Sequence, residues 1–374
     1  MQWDASEEVI TNRAKYVRDH KRSIERLKTT ISETLQSYRV VDILAASGYY
    51  VLKLEDRNQV YQTKMQQAKF LSDEKDVRST LQNCFGDIYR GPEYELVKSF
   101  KTNVNDVSNI VHIKKDHALI YSKIDESLQQ VKFENNNILV EKVNNVKIYD
   151  MALMENDSII FSIKTNELKL YNLEGQVETF HCFSSLKTFN IYGVHVNRKN
   201  EICVGISNSN YANNCNPTAK VIVFNTEKQV IKTYENNRIT KEKLFNCPIR
   251  IVTNYDDTIC VIDLDSYKSN TGKVVCLEQG GTMKWKYEWS SFLDFEPFDI
   301  TVTTEGMILV LDLSRNIHCI NQDGNVTSYK EFYTSRPMQL PSPGSLAVDS
   351  EGLLLVSQNY SFSGSSAIQF YKLK

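Results

Sequence analysis

The sequence has no apolar run approaching the roughly 18 residues that a membrane-crossing helix needs. Its first residues, MQWDASEEVI, show neither the basic flank nor the apolar stretch of a secretory leader. A membrane span and a leader are therefore not expected, and the chain reads as cytoplasmic. Closely spaced cysteines are missing too. The eight cysteines stand singly, at Cys84, Cys182, Cys203, Cys215, Cys247, Cys260, Cys276 and Cys319, with no CxxC, which fits reduced, mostly buried thiols. The six histidines show no H-x3-H spacing. The adjacent pairs His181–Cys182 and His318–Cys319 would point to opposite faces of a strand, so no metal site is expected. GxSxG and Gly-rich phosphate loops are also absent. The expectation is a chain with no catalytic residues and no cofactor, and not an enzyme. Charge of one sign is lacking as well: Lys and Arg number 44, Asp and Glu 46, for a net charge of −2. That balance makes no overall electrostatic case for nucleic acid or an anionic membrane.

Proline is missing before Pro92, and the only glycines before it are Gly48, Gly86 and Gly91. This change in composition divides the chain into a helical arm over 1–85, a linker over 86–93 and a second domain over 94–374. In the arm, one heptad column runs Ile10, Val17, Ile24, Ile31, Tyr38, Ala45, Leu52. A sustained column of this kind predicts a coiled coil. The companion column, with Arg13, His20 and Glu55, is poorer, which leaves open an amphipathic helix folded against the second domain. Ile10, Val17, Ile24, Ile31 and Tyr38 are the expected dimerisation residues.

Beyond Tyr94 one pattern recurs six times: an apolar strand, a turn, a second apolar strand, a variable loop, a third strand, a tight turn and a fourth strand. The clearest copy spans Pro297 to Tyr333 and reads PFDITV, MILVLD, IHCIN and VTSYKEFY. The first strands centre on Ile110, Met151, Val194, Ile251, Ile300 and Leu346. Four strands per repeat of about 40–50 residues predict a β-propeller, here with six blades. Second strands are nearly continuous apolar runs, as for strands buried on both faces, whereas fourth strands such as MKWKYEW alternate. The final copy lacks a fourth strand, and the orphan segment Tyr94 to Phe100 is expected to supply it and close the ring. Asp263 and Asp312 end second strands, where a carboxylate commonly braces the following loop.

Three loops after second strands are long and rich in Asn, Ser and Gly: SNSNYANNCNPT, LDSYKSNTG and NYSFSGSS. Each carries a tyrosine, Tyr211, Tyr267 and Tyr360, and these loops would emerge on one rim. Rigid aromatic anchors among adaptable polar residues suit a binding surface. Arg250, Arg315 and Arg336 are placed toward the same rim, where they could contact a partner or pair with carboxylates. These six residues are the candidate partner-binding set.

Several segments resemble tripartite-motif proteins, especially the expanded set of bivalve molluscs. GKVVCL with MKWKYEW (Gly272, Val274, Val275, Lys284, Trp285, Tyr287), FEPFDI (Phe295, Pro297, Asp299, Ile300), NIHCI (Ile317, His318) and PGSLAVD (Pro343, Ser345, Leu346, Asp349) are similar to that group's repeats. The resemblance implies an NHL-like six-bladed propeller for partner recognition and a coiled coil for dimerisation or for assembly with relatives. Members also carry a RING and B-boxes, whose Cys/His arrays this chain lacks. The expected function is a scaffold or adaptor whose propeller recognises a protein partner. The alternatives are an NHL-type RNA-binding module, and a ligase subunit that relies on a RING from a partner chain.

Overall fold

The computed structural model describes residues 92–374 except 136, 173–174, 209–217, 267, 289–294, 332–341 and 360–365. The expected helical arm, with Ile10, Val17, Ile24, Ile31 and Tyr38, lies outside the described residues. Among the described residues, twenty-four strands form six four-stranded sheets, so this part of the protein is mainly β and builds a six-bladed propeller. Blade 1 holds β2 (Asn109–Lys114), β3 (His117–Ser122), β4 (Ser127–Glu134) and β5 (Asn137–Asn145). Blade 2 holds β6 (Asp150–Leu153), β7 (Ile159–Ser162), β8 (Glu167–Tyr171) and β9 (Val177–Cys182). Blade 3 holds β10 (Asn190–Val196), β11 (Ile202–Ser207), β12 (Ala219–Phe224) and β13 (Val230–Tyr234). Blade 4 holds β14 (Cys247–Thr253), β15 (Ile259–Leu264), β16 (Gly272–Leu277) and β17 (Met283–Tyr287). Blade 5 holds β18 (Pro297–Val302), β19 (Ile308–Asp312), β20 (Asn316–Ile320) and β21 (Val326–Glu331). Blade 6 combines β22 (Ser342–Val348), β23 (Leu354–Asn359) and β24 (Ser366–Leu373) with β1 (Tyr94–Lys101), which pairs antiparallel with β24 as the outer strand.

The hydrophobic pattern of each strand follows its place in the blade. Second strands such as β7, β11 and β19 are buried along their whole length. They lie between two neighbouring blades, where both faces meet apolar surface. Outer strands β5 and β17 alternate in exposure because one face meets water. The apolar side chains collect into six cores, one at each junction between neighbouring blades. Where blades approach most closely, even a methyl group does not fit: a Cβ on Gly205 of β11 would run into the Pro248 carbonyl oxygen of β14.

The two rims are built differently. Nine turns joining first to second strands or third to fourth strands share one geometry. Their first residues are Met154, Asn172, Asn197, Asn225, Asn254, Glu278, Thr303, Asn321 and Asp349. In each, the first residue's N–H donates to the carbonyl four positions on, and the fourth residue's N–H donates back to the first residue's carbonyl. The fourth residue is left-handed every time, at φ between 57° and 87°, and is Gly in five of these turns and Asp, Asn or Lys in the others. Gly has no Cβ to clash there, and Asn and Asp tolerate the region best among the rest. Side chains at the first position add a brace: Asn197 and Asn321 Oδ1 and Asp349 Oδ1 each accept two N–H bonds from their own turn. The opposite rim carries the links between blades and the loops from second to third strands. These range from the three residues between Asp312 and Asn316 to the eleven between Ser207 and Ala219 and the twelve between Tyr234 and Cys247.

Of the described cysteines, Cys203, Cys247, Cys260, Cys276 and Cys319 are buried free thiols and Cys182 is exposed. No helix among the described residues is long and apolar enough to cross a membrane.

Candidate functional site

The innermost strands β2, β6, β10, β14, β18 and β22 neighbour one another around the centre of the ring. The residue just before each first-strand centre forms a circle: Asn109, Asp150, Gly193, Arg250, Asp299 and Ser345. Charged residues inside apolar strands need partners, and this circle supplies them. Bulges in β14, β18 and β22 fall at or beside Arg250, Asp299 and Ser345, and bulges re-aim side chains.

Arg250 is the hub. Its Nε donates to Asp299 Oδ1 at 3.3 Å and its Nη1 lies 3.4 Å from Asp150 Oδ1. Nη1 also donates to the Ile249 and Tyr149 carbonyls, at 3.3 and 3.5 Å. With the Asn109 amide set to satisfy both its ends, its oxygen accepts from Nη2 at 3.3 Å. The carboxylates use their other oxygens to tie blades together. Asp150 Oδ2 accepts the Val194 N–H of the next blade at 2.8 Å. Asp299 Oδ2 accepts the Leu346 N–H and the Ser345 hydroxyl, each at 2.7 Å. Ser345 Oγ in turn accepts the Ile110 N–H at 3.1 Å. The third blade offers glycine at this position because a Cβ on Gly193 would press on the backbone of Ile249 and Arg250.

Two buried carboxylates share one guanidinium, and their acidities show it. Burial lifts Asp150 to about 7, against the pull of Arg250. Burial also raises Asp299. Burial works against the charge of Arg250, but Asp150 and Asp299 hold its proton on. Because Asp150 binds its proton more tightly in the folded chain, its stabilising contribution is complete below its unfolded value and disappears as pH rises through about 7. Asp263, lifted by burial to about 6, acts in the same direction. His195, held by burial near 4, acts oppositely and loses stability as pH falls through that value. Melting temperature is therefore expected to fall between about pH 5 and pH 8, with a shallower fall in Asp150→Asn. Equal slopes for the two proteins in thermal melts would refute this.

A second buried chain joins blades 4 and 5. The Tyr287 hydroxyl lies 2.9 Å from His318 Nδ1, and His318 Nε2 lies 2.9 Å from Asp312 Oδ2. Phe295 packs edge-on against both rings. Asp312 also accepts the Asn316 N–H and so braces the loop that follows it. Asp263 instead accepts the N–H groups of Asn246, the last residue of the link that precedes its blade, and of Cys247, the first residue of β14, so it braces the preceding link and not the loop that follows it.

Of the sequence-derived candidates, Arg250 is in the central ring, its side chain 13% exposed and ion-paired. Arg315 lies in the β19–β20 turn on the variable rim, half-buried, at φ 70°. Tyr211, Tyr267, Tyr360 and Arg336 lie outside the described residues. The structure thus brings together a set the loops had not suggested, Asn109, Asp150, Asp299 and Ser345 around Arg250. The signal available in the sequence was a charged residue at one register of three otherwise apolar first strands.

On the variable rim over blades 1 and 2, Lys164 Nζ sits 4.2 Å from the centre of the Tyr149 ring and 6.0 Å from that of Tyr192. The two rings meet edge-to-face at 5.8 Å, and Arg250 lies 5.4 Å from the Tyr149 ring centre. Burial lifts the Tyr149 hydroxyl to about 12.

No protein-family model matches the chain, and no curated protein sequence matches it significantly. Solved structures do match. A gluconolactonase from Xanthomonas campestris aligns with a TM-score of 0.53 at 9% identity, over 76% of this chain and 92% of that one. A luciferin-regenerating enzyme aligns at 0.52 and 12% identity, over 76% and 97%. A protein described as a putative gluconolactonase aligns at 0.51 and 11% identity, over 76% and 93%. These likenesses show the fold. They also correct the expectation that this chain is not an enzyme: proteins named as enzymes share the propeller, so missing sequence motifs do not separate binders from catalysts on this fold.

Proposed function

We propose that the propeller is a recognition module that holds a protein partner on its variable rim. One observation carries the reading: every described turn of the shared five-residue form lies on one rim, while differences in loop length and sequence concentrate on the other. A rigid scaffold that standardises one face and diversifies the opposite one is the arrangement used by loop-borne binding sites. In this reading Tyr211, Tyr267 and Tyr360 are aromatic anchors and Arg315 and Arg336 polar contacts. The arm self-associates through Ile10, Val17, Ile24, Ile31 and Tyr38, and the chain is similar in plan to the substrate-recognition half of a tripartite-motif ligase.

The test is partner capture by the full chain, scored by crosslinking and compared with the Tyr211→Ala/Tyr267→Ala/Tyr360→Ala variant. Loss of captured proteins from a variant that melts like the parent is the expected result. Undiminished capture would sink the reading. For the RNA alternative, Arg315 is the informative position, since reversing the charge of Arg250 would test the buried ion pairs instead.

A further inference from the structure

The lysines of the rims differ in their pairing. Lys220 and Lys273, on strands that start at the variable rim, pair with Glu235 and Asp263, so the contrast in lysine pairing lies in one sector of that rim. On the standardised rim Lys115 pairs with Glu351, and Lys199 with Asp257 of the neighbouring blade. On the variable rim, Lys123 follows β3, Lys147 links blades 1 and 2, and Lys164 follows β7, so all three emerge over one sector. All three are exposed. Among the described residues none of them has a carboxylate within ion-pair distance. The acidic groups of the same loops are largely committed. Asp106 accepts the Ser122 hydroxyl and the Ile124 N–H, and Asp125 accepts the Asn105 N–H. Glu126 is the remaining one.

Lys164 is held in place rather than dangling. Its backbone is left-handed at φ 58°, a conformation that residues with a Cβ adopt seldom. Its ammonium is seated on Tyr149. Burial and the like charges of Lys123, Arg250 and Lys147 lower its pKa. An exposed cation crowded by cations and fixed over a ring is a preorganised anion receptor.

We propose that Lys123, Lys147 and Lys164 receive the side-chain oxyanions of an acidic peptide segment of the partner. The inference rests on the recognition reading above and names the chemistry of the partner. Single-stranded nucleic acid fits less well. Base stacking needs open aromatic faces, whereas Tyr192 is buried and Tyr149 is already engaged by Lys164 and Arg250. A phosphate backbone also wants an extended basic track, and this cluster is confined to two blades.

The experiment is fluorescence anisotropy of the full chain with a short labelled Glu/Asp peptide, a phosphoserine peptide, an uncharged Gln/Asn peptide and a single-stranded RNA oligonucleotide. Lys123→Gln/Lys147→Gln/Lys164→Gln is compared with a Lys115→Gln/Lys199→Gln control on the other rim. The expected result is binding of the acidic or phosphoserine peptide, with the two arms telling carboxylate from phosphoryl, and affinity about tenfold weaker in the triple variant only. No binding of either anionic peptide, equal binding in the triple variant, or preferential binding of the RNA would each overturn the proposal. Crosslinking capture with the same triple variant separates the two readings. Capture lost on tyrosine substitution but kept on lysine substitution retains the recognition rim and rejects the acidic ligand, whereas capture indifferent to both rejects the rim itself.

Discussion

Replacing Arg250 by Met is expected to lower the unfolding free energy by about 3–5 kcal/mol, because it leaves two carboxylates buried without their cation. Asp150 and Asp299 cannot turn outward to find water. Each is fixed by an N–H from the next blade, Val194 in one case and Leu346 in the other. Some of the cost is relieved by protonation, since Asp150 already sits near neutrality, so the loss should be smaller at low pH. The companion variant Arg250→Met/Asp150→Asn/Asp299→Asn removes the stranded charges and should recover most of the stability, as buried ion pairs can be replaced by uncharged groups at little net cost. Arg250→Lys keeps the charge but loses the fork that reaches both carboxylates, and should fall between. Denaturant melts of the set give the answer. A single Arg250→Met variant as stable as the parent would show that the ring does not hold the blades.

Deleting Tyr94 to Lys101 is expected to abolish cooperative unfolding altogether. β1 pairs with β24 over most of its length, and Phe100 packs against Phe133 of blade 1 and Phe370 of blade 6 with ring centres 5.0 and 5.4 Å apart. Without the strand, the core between blades 6 and 1 opens and β24 becomes a free edge. The milder Phe100→Ala should cost about 3–5 kcal/mol through the cavity it leaves. A sharp thermal transition in the deletion variant would refute the closure argument, and Phe100→Ala then shows whether the aromatic contact matters by itself.

The blades were legible because burial on both faces makes second strands continuous apolar runs, and because turns such as QDGN need a left-handed residue and show it. The rim asymmetry was legible in part: the long loops were evident, but the uniformity of the other rim depends on hydrogen bonds that Met154, Thr303 and Glu278 make as well as asparagine does. The ring around Arg250 was not recovered. Asp299 lies 49 positions from Arg250 along the chain, and the Tyr149 carbonyl that Arg250 also reaches lies 101 away, and local pattern says nothing about what meets across a circle. Arg250 therefore looked like a rim cation when it is an internal one. Lys164 escaped notice for a related reason, since neither its ring contact nor its unpaired charge is encoded by its neighbours in sequence.

The pairing of the two ends also sets a timetable for the nascent chain. Thr102, just past β1, bonds to Ser366, 264 positions later. At roughly 5–20 residues per second of synthesis, β1 waits on the order of 13–50 s for its partner strand while five blades take shape behind it. During that wait it offers an unpaired edge with Leu96 and Val97 on its surface. On a polysome, neighbouring copies stand within reach in the same interval, so the segment that seals one ring is also the one available to be exchanged between two.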